Sequence, residues 1–257
     1  LLSILIGYTY SDDIDYIDVE PLEELDKIAS CVENGRLLVE CIRCHTRANK
    51  ITHATPLGNL LDFIASSEGG YNSMNQGSKD GRIVGVSHDA KLQLSHFKNN
   101  LGLDIGNAVN KQLTELSIET IMSLQGQTMP NDPQRPVLYA VGKYQIIPKT
   151  MRYIVDAMEL NIEQLFDESM QEQMGLWLIK EKRPIVWEYI QGDHNNQQNA
   201  LLELAKEWAS LPDPRSGANY GRSYYHGVGG NGVAHTIDRV VKVLDEAREY
   251  QMGQCLK

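Results

Sequence analysis

Glu68 closes an apolar-faced helical pattern and stands directly before two glycines, in the run Leu60-Leu61-Asp62-Phe63-Ile64-Ala65-Ser66-Ser67-Glu68-Gly69-Gly70-Tyr71. A carboxylate at that end meets outward-pointing carbonyls and the negative pole of the helix, and partial burial disfavours its anion further. Both effects raise a pKa, which is what a general acid near neutral pH requires. Taken alone, the fragment reads more simply as a solvated glutamate at a helix end.

The element that positions Glu68 is legible. Leu57, Leu60, Leu61 and Ile64 fall at i, i+3, i+4 and i+7, one apolar helix face over 57–68. Gly69-Gly70 predicts a stop in the left-handed cap conformation. Two further segments stand out. Ala140 to Thr150 reads as a Gly142 turn entering a short apolar run, after which Pro148 opens a helix. Glu207-Trp208-Ala209-Ser210-Leu211-Pro212 is a helix end closed by proline.

These three pieces, in this order, resemble the lysozyme superfamily, and within it the lambda-type phage endolysins, which are lytic transglycosylases. That family carries a helix ending in Ser-Glu-Gly, then Gly-Arg-Tyr-Gln, then Trp-Ala-Ser-Leu-Pro. The matching residues are Ser67-Glu68-Gly69, Gly142-Lys143-Tyr144-Gln145 and Trp208 to Pro212, with Gln171 to Lys182 also similar. The resemblance covers roughly residues 55 to 250, in patches. It implies a mostly helical α+β, lysozyme-like domain with a small strand region after the catalytic helix. The implied activity is a muramidase that cuts the β-1,4 bond between N-acetylmuramic acid and N-acetylglucosamine, with Glu68 as general acid.

A second catalytic group depends on the mechanism. A hydrolase wants a second carboxylate. Asp80 and Asp89 lie where many lysozymes carry one, each otherwise a solvated loop aspartate. A transglycosylase needs none, because the muramic acid 6-hydroxyl attacks within its own sugar. Lys143 stands where the family has Arg, and residues 72 to 112 depart from the family pattern, so both mechanisms stay open. Tyr71, Tyr144, Gln145 and Tyr220 are the candidate substrate contacts. A Tyr ring stacks on sugars and a Gln amide bonds N-acetyl groups. Tyr144 reads equally as strand packing. Trp208 reads as core. Tyr220, Tyr224 and Tyr225 suit a cleft rim or a surface loop. A chitinase-like glycosidase on the same fold and a wall-binding module without catalysis are the rival readings.

Composition sets the outer limits. The chain has 257 residues, 42% hydrophobic and 23% charged, with a net charge of -10. No basic stripe is available to neutralise phosphates, which argues against nucleic acid as a partner. No apolar run suits a bilayer span, and Leu1 to Gly7 lacks the basic flank of a signal peptide. The chain reads as a piece of a longer polypeptide, delivered or released to the periplasm or cell wall rather than exported by its own leader. A phage endolysin, a bacteriocin or a type VI secretion effector fits that reading. The expected partner is peptidoglycan, with an immunity protein or a delivery-apparatus protein compatible, and no cofactor is implied.

Residues 1 to 52 differ from the rest and predict an appendage or the tail of an upstream domain, with the catalytic domain over 53–257. Asp12 to Asp26 is acidic, and Leu37 to Ile42 suits a strand after an Asn34-Gly35 turn. Cys41-Ile42-Arg43-Cys44-His45 has the spacing of a haem attachment site but no surrounding cytochrome pattern. With Cys31 it also allows a zinc site, a disulfide or reduced thiols. Beyond 57–68, helices are predicted over 117–124, 148–158, 168–181, 199–209 and 233–250, with strand pieces at Ile83-Val84 and Val86 and a three-proline loop over 125–136.

Overall fold

The computed structural model describes residues 55–255, apart from 103, 104 and 229. The expected N-terminal appendage, its strand, and Cys31, Cys41, Cys44 and His45 lie outside the described residues.

The fold is mostly helical α+β. Helix α1 (Pro56–Glu68) starts where the Thr55 hydroxyl accepts the Gly58 N–H at 3.1 Å. Pro56 sits in the first turn, where its missing N–H costs nothing. Leu57, Leu60, Leu61 and Ile64 are all buried, so the predicted stripe is the core face. The chain then forms a hairpin, β1 (Ser78–Lys79) with β2 (Arg82–Ile83), paired Ser78 to Ile83 and Lys79 to Arg82. Asp80 and Gly81 at its tip both have positive φ, 50° and 74°, as a two-residue turn that follows strand twist requires. This is the small strand region expected after the first helix.

Helix α2 (Ala90–Leu101) follows, inside the stretch expected to be irregular. Its signals were present: Asp89 as cap, Ala90, Leu94 and Phe97 buried at i, i+4 and i+7, and Gly102 in the left-handed conformation after it. Three buried apolar residues in a largely polar stretch make a narrow stripe with little hydrophobic signal. Helix α3 (Ile118–Gly126) leads to a second hairpin, β3 (Thr128–Met129) with β4 (Asp132–Pro136), in the stretch expected to be a proline-bearing loop.

Helices α4 (Pro148–Ala157), α5 (Glu168–Trp177), α6 (Pro184–Gln191), α7 (Gln197–Glu207) and α8 (Ile237–Cys255) complete the chain. Of these α6 was not expected. It begins at Pro184, directly after a π-helical turn over Leu178–Lys182. Helix α8 packs on α1 and α6, and α6 on α7. One apolar core joins residues from Leu57 to Ala247.

That core implies a prediction. Removal of residues 1–52 should leave a soluble, helical protein, since roughly 200 residues are ample for an independent core. Cooperative thermal unfolding by circular dichroism checks it. Aggregation of the shortened chain would mean that the N-terminal segment covers apolar surface on the body.

Candidate active site

Three segments far apart in sequence meet at the end of α1. Glu68 comes from the helix itself. Ser210, just beyond α7, donates its hydroxyl to Glu68 Oε1 at 2.5 Å. Ser67 and Ser210 hydroxyls are 2.8 Å apart, and Ser67 also bonds the Ile64 carbonyl at 3.0 Å. The third segment supplies Gln145, whose Nε2 lies 3.1 Å from where a Cβ on Gly69 would sit.

Gly69 corrects the expected cap. Its φ is 176°, extended backbone rather than left-handed. Glycine is needed for closeness instead: a Cβ there would fall 2.8 Å from Ser73 Cβ. The chain must pass tightly over Ser73, whose hydroxyl accepts the Gly70 N–H at 2.8 Å.

Glu68 is half-buried. Burial raises its pKa above the ordinary value, and the nearby Glu207 carboxylate adds to the rise. Ser210, through its hydroxyl and its backbone N–H, pulls the other way. Desolvation wins, so the carboxyl holds its proton to higher pH than a free glutamate. The serine hydroxyl also fixes Oε1 of the carboxyl.

Glu207 is a charged neighbour that sequence reasoning passed over, although it opened one of the quoted motifs. It accepts from Lys182 Nζ at 2.7 Å and Arg183 Nε at 2.8 Å, with its side chain 7% exposed. Its cations lie more than twenty residues upstream, so no local signal pairs them. Both carboxylate oxygens are thus engaged, one by Lys182 and the other by Arg183.

The other expected residues fall elsewhere. Asp80 is exposed at the hairpin tip. Asp89 caps α2, accepting the backbone N–H groups of Lys91 at 3.0 Å and Leu92 at 3.4 Å. Neither bonds Glu68 among the described residues. Gln145 lies against Gly69, with φ of 47°, but its amide already donates to the Gly142 carbonyl at 2.8 Å and accepts from Asn75 at 3.0 Å. Tyr220 is 59% exposed, in the Gly-rich loop after α7. That loop reaches the first hairpin: a Cβ on Gly230 would lie 2.5 Å from the Gly81 carbonyl oxygen.

Tyr144 is a correction. Only 3% of it is exposed, and its ring packs so closely on Gly175 that a Cβ there would sit 2.4 Å away. It belongs to the core rather than to a sugar-stacking surface. Its hydroxyl donates to Glu172 Oε2 at 2.8 Å, and the Tyr71 hydroxyl donates to Oε1 at 2.7 Å. Lys143 completes this group, bridging Asp62 at 2.5 Å and Glu172 at 2.6 Å beneath both rings. Burial, together with the Glu172 charge, keeps both phenols protonated well above their usual range. The network ties α1, the Gly142 turn and α5 together behind the Glu68 site. Trp208 is core, at 2% exposure, as its motif suggested.

Among the described residues no group of three or more His, Cys, Asp or Glu side chains converges as a metal site would, and no helix is long and apolar enough to cross a membrane. Compared with known proteins, the chain matches no family model, no curated protein and no solved structure.

Proposed function

We propose that the chain is a peptidoglycan-cleaving muramidase of the lysozyme kind, with Glu68 as the proton donor. The observation that carries this reading is the convergence at Glu68. A carboxyl with a raised pKa is fixed by Ser210, Gln145 lies against the adjacent Gly69, and the three segments involved are those that resemble the lysozyme superfamily.

The arrangement around Glu68 favours the transglycosylase route, in which one carboxyl suffices. The Glu68 proton passes to the leaving glycosidic oxygen as the bond from C1 breaks. The muramic acid 6-hydroxyl then closes on C1, and the Glu68 carboxylate accepts the hydroxyl proton. Ser210 favours the anion at that midpoint. Substrate and setting follow from the same reading: wall glycan in the periplasm or cell wall, and an antibacterial role as an endolysin or delivered effector.

Mass spectrometry of digested sacculi tests it directly. Anhydro-muropeptides are the expected products; reducing-end muropeptides, heavier by one water, would mean hydrolysis. Intact sacculi that still bind the protein would support the wall-binding reading, and cleavage of chitin oligomers in preference to sacculi would support the chitinase-like one.

Asp80→Asn and Asp89→Asn separate the two mechanisms cleanly. Asn caps a helix as well as Asp and tolerates positive φ, so neither change should unfold the protein. On the transglycosylase route each should cost less than about tenfold in kcat, since no second carboxylate takes part. A loss comparable with that of Glu68 removal would assign that aspartate to a hydrolase.

The pH profile carries a signed expectation. The acid must be protonated in the free enzyme, so kcat/KM should fall as pH rises through the Glu68 pKa. In Ser210→Ala the bonds that lower that pKa are weakened, so the alkaline limb should move to higher pH while kcat drops. A limb that stays in place, or moves down, would remove Ser210 from the role given to it.

A further inference from the structure

Beside the Glu68 site lies a second recess of about 130 Å³, walled in part by Gln145, Thr150, Lys182, Arg183, Lys206 and Glu207. Gln145 is shared with the surroundings of Gly69, and Glu207 is the anion felt by Glu68, so the two sites adjoin. Three of these wall residues are cations, in a chain whose net charge is -10. Within ion-pair distance their carboxylate partners among the described residues are Glu203 and Glu207; Asp213, which also feels the Lys206 charge, is itself paired with Arg215. Three positive charges against two negative ones leave a formal +1.

Donors are in excess as well. Lys182 directs two of its three N–H bonds, to Glu207 at 2.7 Å and Thr150 at 3.1 Å. Lys206 directs one, to Glu203 at 2.5 Å. Arg183 reaches Glu207, Glu203 and the Lys206 carbonyl, three of its five donors. Lys182 ends the π-helical turn Leu178–Lys182 and Arg183 caps it. Such turns are costly and recur at functional sites.

We propose that this recess binds a carboxylate of the substrate and makes the enzyme selective for glycan that carries acidic groups. The inference rests on the muramidase reading above. Size limits the ligand: a cavity of ~150 Å³ takes one benzene ring, so this one takes a carboxylate and its neighbouring atoms but not an N-acetylhexosamine ring. Wall glycan offers carboxylates from two sources, the peptide stem and, where the stem is gone, the lactyl group of muramic acid. Chitin has neither.

The test compares Lys206→Gln with Glu203→Gln. The first takes the formal charge to zero and the second raises it to +2. Lys206→Gln should raise KM on peptide-bearing glycan by about tenfold with kcat held, an effect that shrinks at high salt. Glu203→Gln should lower KM. A merely structural role would move both variants the same way, so opposite signs isolate the charge. A response on peptide-free glycan assigns the lactyl group, and a response confined to peptide-bearing glycan assigns the stem. Affinity for chitin oligomers, by calorimetry, should not change in either variant. Any pattern other than opposite KM shifts, or a parallel change in chitin-oligomer affinity, overturns the proposal. Failure of the muramidase reading looks different: the wild-type protein would leave every glycan uncut. Calorimetry with N-acetylmuramyl dipeptide would then judge the recess by the same opposite shifts, now in Kd.

Discussion

Glu68→Gln should abolish glycan cleavage and leave the fold intact. The amide is nearly isosteric and can still accept the Ser210 hydroxyl, but it has no acidic proton for the leaving oxygen. Loss of a general acid costs about two to four orders of magnitude in rate. Turbidity loss and muropeptide release measure this, and near-full activity would remove Glu68 from the mechanism. The same variant carries a stability signature. The folded state holds the Glu68 proton above the ordinary value of 4.5, so it binds more protons than the unfolded chain in that window. Stability contributed by Glu68 is therefore complete at low pH and falls as pH rises through the folded pKa. Gln cannot ionise. Glu68→Gln should accordingly melt at a higher temperature than the wild type near neutral pH, with the difference vanishing in acid. A variant less stable than wild type at neutral pH would mean that the carboxylate holds the fold rather than opposing it.

Lys143→Met should be the most damaging change away from Glu68. Lys143 is 7% exposed, and its ammonium is the cation shared by Asp62 and Glu172. Removal leaves the Glu172 carboxylate, 15% exposed, with two phenols as its side-chain donors among the described residues. Breaking a buried pair from one side costs about 3–5 kcal/mol, and the partial exposure of Asp62 puts this case toward the lower end. Denaturant unfolding would show the loss as a fall in midpoint. Because the network ties α1 to the Gly142 turn, activity should drop along with stability. Lys143→Met combined with Glu172→Gln should recover part of the stability, since the orphaned charge is then gone. No recovery would mean that the packing of the lysine stem, not its charge, matters there.

Local rules account for what the sequence determined by itself. Helix α1 was legible to within a residue because its apolar stripe repeats over a few turns and its glycine stop is local. The helical starts at Pro148 and Glu168 were legible for the same reason, and Glu68 followed from α1 by position alone. Helix α2 was missed although its cap and left-handed Gly102 were present, because a narrow stripe in a polar stretch carries little hydrophobic signal. The Gly69 conformation was missed because nothing local reveals Ser73 lying 2.8 Å from its absent Cβ.

Only the tertiary structure decided the rest. Tyr144 could have faced a cleft or the core, and packing on Gly175, some thirty residues on, placed it in the core. Ser210 could have been any serine after a helix, and the tertiary fold brought the segment after α7 to the end of α1, where it meets Glu68. Glu207 met its cations where the end of α7 packs by the π-helical turn that closes on Lys182 and Arg183. Backbone hydrogen bonds and side-chain periodicity act over a few residues and can be read along a chain. Desolvation, close contact and charge pairing depend on which surfaces meet, and those are set by the packing of the whole core.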